Sequence, residues 1–365
     1  MTPVVAGIGQ TRFTRRAAAS EHALGVQAIR AALRDAGLRI EDVDGVVRFD
    51  REAAWEYDLP GVLRVGRLDW YAAVPFGPGS APALVGLAAM AVAQGLASVV
   101  VGWHARDGAA RAAAGAEPLA PFGLARPADV AAVALRRWQL ERGIGDAALA
   151  AATCALRANA ARNPRALLGR ALSRAAHRAS PVVAAPLRAV DCAAPAAGAG
   201  AFVVTSRERL RAPRRPPVPV LGWVQAALPS AARHLPDWLG PRRERALRAA
   251  AGALWRRTGV GPQEVDVACV WADPGPLALL GLEAWGLAAA GRWPRRPRVN
   301  PHGGQLAEAS LDGINDVLEA VRQLRGDAAW PVRGARVAFV AGSPLEPTSA
   351  VLLGQCNVRP VARPT

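Results

Sequence analysis

The chain contains no lysine: all 45 of its basic residues are arginine. Codon usage in a GC-rich genome accounts for that, and for the abundance of alanine. The net charge is +16, which would draw nucleic acid if the charge were gathered on one face. It is not gathered. The arginines are scattered, with only short clusters such as RRPP and RWPRRPR, and no finger, helix-turn-helix or interleaved aromatic pattern accompanies them. Nucleic acid is therefore not an expected partner. Cysteine is scarce too. Cys154, Cys192, Cys269 and Cys356 lie far apart, with no CxxC or Cys/His spacing for zinc. A reduced, cytoplasmic protein is the expectation. The apolar start is broken at once by TRFTRR, unlike a secretion signal. Only one apolar run is long, Ala81 to Trp103, and it divides at Gln94 and Gly95 into an Ala-rich helix and a β-branched strand. No membrane span is expected.

What is present is a globular composition, 52% hydrophobic and 20% charged, over 365 residues. That length serves one large domain or two ordinary ones. PVVAGIGQT reads as a strand, ALGVQAIRAALRDAG as a helix ending at Gly37, and EDVDGVVRF as a turn and a second strand. The pattern returns. LRDAGLRIEDVDGVV (33–47) lies on WRRTGVGPQEVDVAC (255–269) at a constant offset, Gly37 meeting Gly259 and Asp44 meeting Asp266. The helix–Gly–strand unit 83–102 has its counterpart in 312–342. Two units per half, in the same order, imply a duplicated α/β architecture. An Ala/Arg-rich, helical insertion of about 104–189 interrupts the first half, and GAGAFVVTS and PVPVLGWV read as strands around a Pro-rich linker. The halves are taken as 1–225 and 226–365.

The densest cluster of chemical groups is RVNPHGGQLAEASLDGIND, Arg298 to Asp316. His302, one of five histidines, is an acid–base candidate near neutral pH. Glu308 or Asp312 becomes a base if burial raises its pKa. Gly303 and Gly304 let backbone N–H groups approach an oxygen. Bland roles stand beside these: His302 capping a turn, Asp312 capping the next helix, Glu308 solvated, and the glycines serving the fold alone. His104, just after VVVGW, ends a strand at the usual ligand side of an α/β sheet and is a weaker candidate.

VAGIGQTRF, AALRDAGL with DVDGVV, NPRALLGR, PLRAVDC and NPHGGQLAEASLDGINDVLEAVRQLRG together resemble the thiolase superfamily. The branch is that of the lipid-transfer and sterol carrier protein X thiolases, and the resemblance covers nearly the whole chain. It implies a five-layered αβαβα sandwich of two duplicated halves. It also implies a coenzyme A thioester as substrate, with no permanently bound cofactor or metal, which gives a few of the arginines a phosphate to meet. A dimer is implied, with itself or with a thiolase-like paralogue, and an OB-fold/zinc-ribbon partner protein. The thioester would meet backbone at Gly79, Ser80, Gly303 and Gly304.

The chain departs from the thiolase pattern at its chemistry. The nucleophile position falls on Pro78, which cannot attack, and the position of the family's GHP histidine falls on Ser310. VAGSPLEPTSA lacks the second cysteine. Members of the branch that lack the nucleophile act as retro-aldolases, with a Tyr commonly standing where this chain has Ser310. That chemistry needs a base for a β-hydroxyl proton and donors for a thioester enolate. The catalytic candidates are His302, Glu308, Ser310 and Asp312. The resemblance also implies an acidic residue near Asp273, in VWADPGP, where thiolases carry NEAF, although the spacing to Glu283 is short by one. The leading expectation is retro-aldol cleavage of a lipid- or steroid-bearing β-hydroxyacyl-CoA. A degenerate subunit that stabilises an active partner, and an acyltransferase with a relocated nucleophile, remain open alternatives.

Overall fold

A computed structural model describes residues 1–49, 58–74, 77–79, 81–108, 120–211, 213–227, 241–345 and 347–358. The first half opens with β1 (Pro3–Gln10), α1 (Glu21–Ala36), β2 (Gly45–Phe49), α2 (Asp58–Leu63), β3 (Trp70–Val74), α3 (Ala81–Ala93) and β4 (Val99–Asp107). The insertion follows: α4 (Pro127–Arg142), α5 (Asp146–Ala160), α6 (Arg174–Ala179), and a small hairpin of β5 (Val182–Ala184) and β6 (Leu187–Arg188). Then come β7 (Ala197–Ser206), β8 (Val218–Ala226), α7 (Pro241–Thr258), β9 (Val267–Val270), α8 (Leu277–Ala284) and β10 (Arg298–Val299). The chain ends with α9 (Gly304–Ala307), α10 (Ile314–Arg325), β11 (Val337–Ala341) and β12 (Thr348–Gly354).

Among the described residues, ten strands are joined in the order β10-β9-β11-β12-β8-β1-β7-β4-β2-β3. The order is symmetric about the β1–β8 junction, where Val4 faces Pro219 and Val5 faces Val218. β1, β7, β4, β2 and β3 on one side match β8, β12, β11, β9 and β10 on the other. The pairings also match: antiparallel, antiparallel, parallel, parallel outward from the junction. The repeat reaches individual atoms. Asp44 accepts from the N–H groups of Ser98 and Val99 at 2.9 and 2.8 Å, where β4 begins. Asp266 accepts from Arg336 and Val337 at 2.7 and 3.1 Å, where β11 begins. Gly37 and Gly259 close α1 and α7 with φ of 69° and 65°, a left-handed turn that an L side chain strains.

Layering follows from the two-residue period of the strands. Phe202 and Val204 of β7 face the central core, while Ala201 and Val203 face α1. Val351 and Leu353 of β12 face the same central core, while Ala350 and Leu352 face the α7 side. The central layer is α3 and α10, buried almost throughout. The molecule is therefore helix, sheet, helix, sheet, helix: the repeat in the sequence predicts the duplication, and the family resemblance implies the five layers. The insertion forms its own apolar cluster, in which Leu135, Trp138 and Leu149 pack with Trp271, Leu277 and Leu279 beside α8. No helix among the described residues is long and apolar enough to cross a membrane.

Candidate active site

The segment from β10 to α10 is clamped from the insertion side. Asn159 of α5 donates to the carbonyls of Val299 and Asn300 at 2.8 and 3.0 Å. Asn163, which opens NPRALLGR, donates to the His302 carbonyl at 3.0 Å and to Glu308 Oε1 at 2.8 Å. Asn300 bridges both backbone groups of Val270 at 2.8 Å, and Gln305 accepts from the N–H of Ala272 at 2.9 Å. Side-chain amides thus fix a loop that has little regular structure of its own. Gly313 joins it to the other half. Its φ is 86°, and a Cβ there would stand 3.3 Å from Ala81 Cβ at the start of α3. The two central helices therefore meet at their N-terminal ends, as the duplicated sequence requires.

Behind the loop lies a sealed network of ions. His302 Nε2 is 2.9 Å from Asp316 Oδ1 and 3.8 Å from Glu308 Oε2. Glu308, wholly buried, accepts from Asn163 and from Asn315 at 2.9 Å, and Arg165 Nε stands 3.7 Å away. Arg165 reaches Glu319 at 3.5 Å, and Arg322 Nη1 is 4.0 Å from the same carboxylate. Gln305 also bonds Asp316. Burial works against the imidazolium of His302, but Glu308, then Asp316 and Glu319, outweigh it and raise its pKa to about 9. His302 is thus a cation at neutral pH, holding the loop to α10.

In front of the network is a partly exposed cluster. Ser310 Oγ donates to Asp273 Oδ2 at 2.9 Å, and the N–H of Ala193 donates to Oδ1 at 3.1 Å. Burial raises the Asp273 pKa above the usual carboxylate range. The bonds from Ala193 and Ser310 oppose that, the charge of Asp312 adds to it, and Arg106 reduces it. Asp312 Oδ2 lies 2.9 Å from His104 Nε2 and 3.3 Å from Arg106 Nη1. His104 is packed against the Phe49 ring at 4.4 Å. Asp312 does not cap α10; Gly313 occupies that position, and Asp312, with φ of 48°, turns toward β4.

Of the residues expected from the sequence, Ser310 and Asp312 come together in this cluster, joined by Asp273, His104 and Arg106. His302 and Glu308 stand behind it, closed off from solvent. Gly303 and Gly304 turn the chain into α9, with φ of 106° and 62°. Gly79 sits at the foot of α3, its carbonyl bonded by Ser349, whose Oγ also accepts from the N–H of Ala83 at 2.9 Å. Ser80 lies outside the described residues. Asp316, Glu319 and Asn163 carried no functional signal of their own; Asn163 stood out only within the NPRALLGR motif. Three of the four thiols are poor nucleophiles: burial raises the pKa of Cys154, holds Cys192 up at about 11, and puts Cys269 well above its usual range.

This architecture is that of the thiolases. Residues 232–353 match the family described as "Thiolase C-terminal domain-like". The solved structure of the "Ltp2-ChsH2(DUF35) aldolase" superposes with a TM-score of 0.88 at 31% identity, covering 98% of each chain. The chain is 33% identical to the "17-hydroxy-3-oxo-4-pregnene-20-carboxyl-CoA lyase" of Mycobacterium tuberculosis, over 96% of this chain and 98% of the relative. It is 32% identical to the "Steroid side-chain-cleaving aldolase" of Thermomonospora curvata, over 96% and 97%. The chain belongs to the thiolase superfamily and is related to the aldolases and lyases just named. It is an enzyme of the aldolase or lyase type, acting on a CoA thioester.

Proposed function

We propose that the protein cleaves a β-hydroxyacyl-CoA by a retro-aldol reaction, with Asp273 as the base. The observation that carries this is the pair of carboxylates in one partly exposed cluster, set in contrasting surroundings. Asp273 is desolvated and held only by neutral donors; Asp312 is held by Arg106 and His104. Two nearby groups in such different environments are suited to separate tasks. A carboxylate with a raised pKa is also a better match to proton transfer near neutrality.

Asp273 takes the proton of the β-hydroxyl. The oxygen's electrons form the carbonyl as the Cα–Cβ bond breaks, and the bond pair passes to the thioester enolate. The enolate carbon then takes a proton, returned by the Asp273 acid. The products are a ketone and a shorter acyl-CoA, with every atom accounted for. Ser310 keeps the Asp273 carboxylate oriented, and Arg106, aimed by Asp312, is the cation nearest the developing negative charge. No Schiff base on this chain is involved, because it has no lysine.

The acyl group is apolar, with a steroid side chain the leading candidate from the named relatives. The pairing in the name of the Ltp2-ChsH2(DUF35) aldolase supports a second polypeptide here too, an OB-fold/zinc-ribbon protein completing the acyl-CoA site. The chain would be incubated, alone and with such a partner, with a β-hydroxyacyl-CoA bearing a steroid side chain. Mass spectrometry should find the ketone and the shortened acyl-CoA in equal amounts. Intact substrate in both mixtures would refute the proposal.

A further inference from the structure

The face of the molecule opposite the candidate active site carries an open groove of about 530 Å³. It lies where α1 and α10 end, beside β1 and the linker from β7 to β8. α10 has twelve residues, so at ~1.5 Å per residue the groove is about 18 Å from the cluster at its other end. Five arginines line it: Arg34, Arg214, Arg215, Arg322 and Arg325.

The two carboxylates of the groove do not consume this charge. Asp35 is taken by Arg325 at 2.7 Å, and Arg325 also donates to the carbonyls of Ala6 and Pro216, both at 2.9 Å. Asp327 is 3.6 Å from Arg215. Among the described residues, no carboxylate lies within ion-pair distance of Arg34 or Arg214. Arg322 is only 9% exposed; one of its terminal nitrogens donates to Gln10, and the other, Nη1, makes no hydrogen bond, with the Glu319 carboxylate 4.0 Å away at the limit of an ion pair. A buried guanidinium with an unused donor at the wall of a groove is costly unless something accepts from it. The C-terminal dipoles of α1 and α10 would repel an anion here, so the surplus of arginine is the more telling.

The geometry points to a second ligand site in this groove, for the diphosphate or phosphomonoester groups of a soluble, nucleotide-sized molecule. The volume suits such a ligand, and planar guanidinium forks match phosphate oxygens. The site is separate from the reacting thioester, since the packed length of α10 stands between them.

The test is calorimetric titration of the full chain with inorganic diphosphate at low salt. Wild type should bind saturably. The double variant R34E/R214E reverses two exposed charges and should fold as wild type by its melting curve, yet bind at least about tenfold more weakly. Its retro-aldol cleavage of β-hydroxyacyl-CoA without diphosphate should be unchanged. R322Q should also weaken binding, but its burial makes it the secondary variant. Vesicles containing an anionic phospholipid, added in a parallel sedimentation assay, distinguish the source of the phosphate. Absence of saturable binding, equal affinity in R34E/R214E, or binding to vesicles but not to diphosphate would each overturn the inference.

Discussion

Replacing His302 by glutamine separates the role of the sealed network from that of the exposed cluster. The imidazole pKa rises from 6.5 to about 9 in the folded protein. At 1.36 kcal/mol per unit, this difference corresponds to about 3 kcal/mol of pH-dependent stability. The sign follows from the direction. The folded state holds the proton more tightly, so the contribution is complete below pH 6.5 and is lost as pH rises through about 9. Wild type should therefore lose about 3 kcal/mol between pH 6 and 9 in urea unfolding, and H302Q should lack that slope. The raised thiols of Cys192 and Cys269 weaken both proteins above pH ~9, the usual thiol range, and cancel in the difference. At pH 6, H302Q leaves Glu308 and Asp316 without their cation and should be about 3–5 kcal/mol less stable than wild type. Parallel pH curves for the two proteins would refute the assignment of His302 as a buried imidazolium.

Three further outcomes are expected. S310A removes a donor that favours the Asp273 carboxylate, so the Asp273 pKa should rise and the acidic limb of the pH–rate profile should move to higher pH; an unmoved limb would mean that Asp273 does not control it. G313A forces an L residue to φ of 86° and puts a methyl 3.3 Å from Ala81 Cβ; the left-handed conformation alone should cost about 1–2 kcal/mol in urea unfolding, and a neutral result would mean that residue 313 does not hold that conformation. D312N should lower the cleavage rate with little change in melting temperature, since Asp312 is partly exposed and serves to aim Arg106; unfolding would instead make it structural.

The duplication was legible because it is written in local signals. Gly37 and Gly259 end helices, Asp44 and Asp266 cap strands, and these repeat at one offset in the sequence. The loop from Arg298 to Asp316 stood out in the sequence as a candidate site, for histidine, glycines and carboxylates crowd there. Which of its side chains face solvent was not. His302 and Glu308 look like catalytic groups in one dimension, and only the tertiary fold shows Asn163, Arg165, Asp316 and Glu319 closing around them. Asp273 and Ser310 lie 37 residues apart, and their bond depends on how the strand end after β9 meets the loop before α10. The groove at the far end was invisible for the same reason: its arginines come from α1, α10 and the linker, and look scattered in sequence.

The role of Asp273 is tested by the single-turnover rate of β-hydroxyacyl-CoA cleavage by D273N against wild type, with the proposed OB-fold partner added. Asparagine keeps the shape and the contact with Ser310 but cannot take the proton. The rate should fall about 100-fold or more with the melting curve unchanged. A D273N enzyme cleaving within a few-fold of wild type would contradict that role.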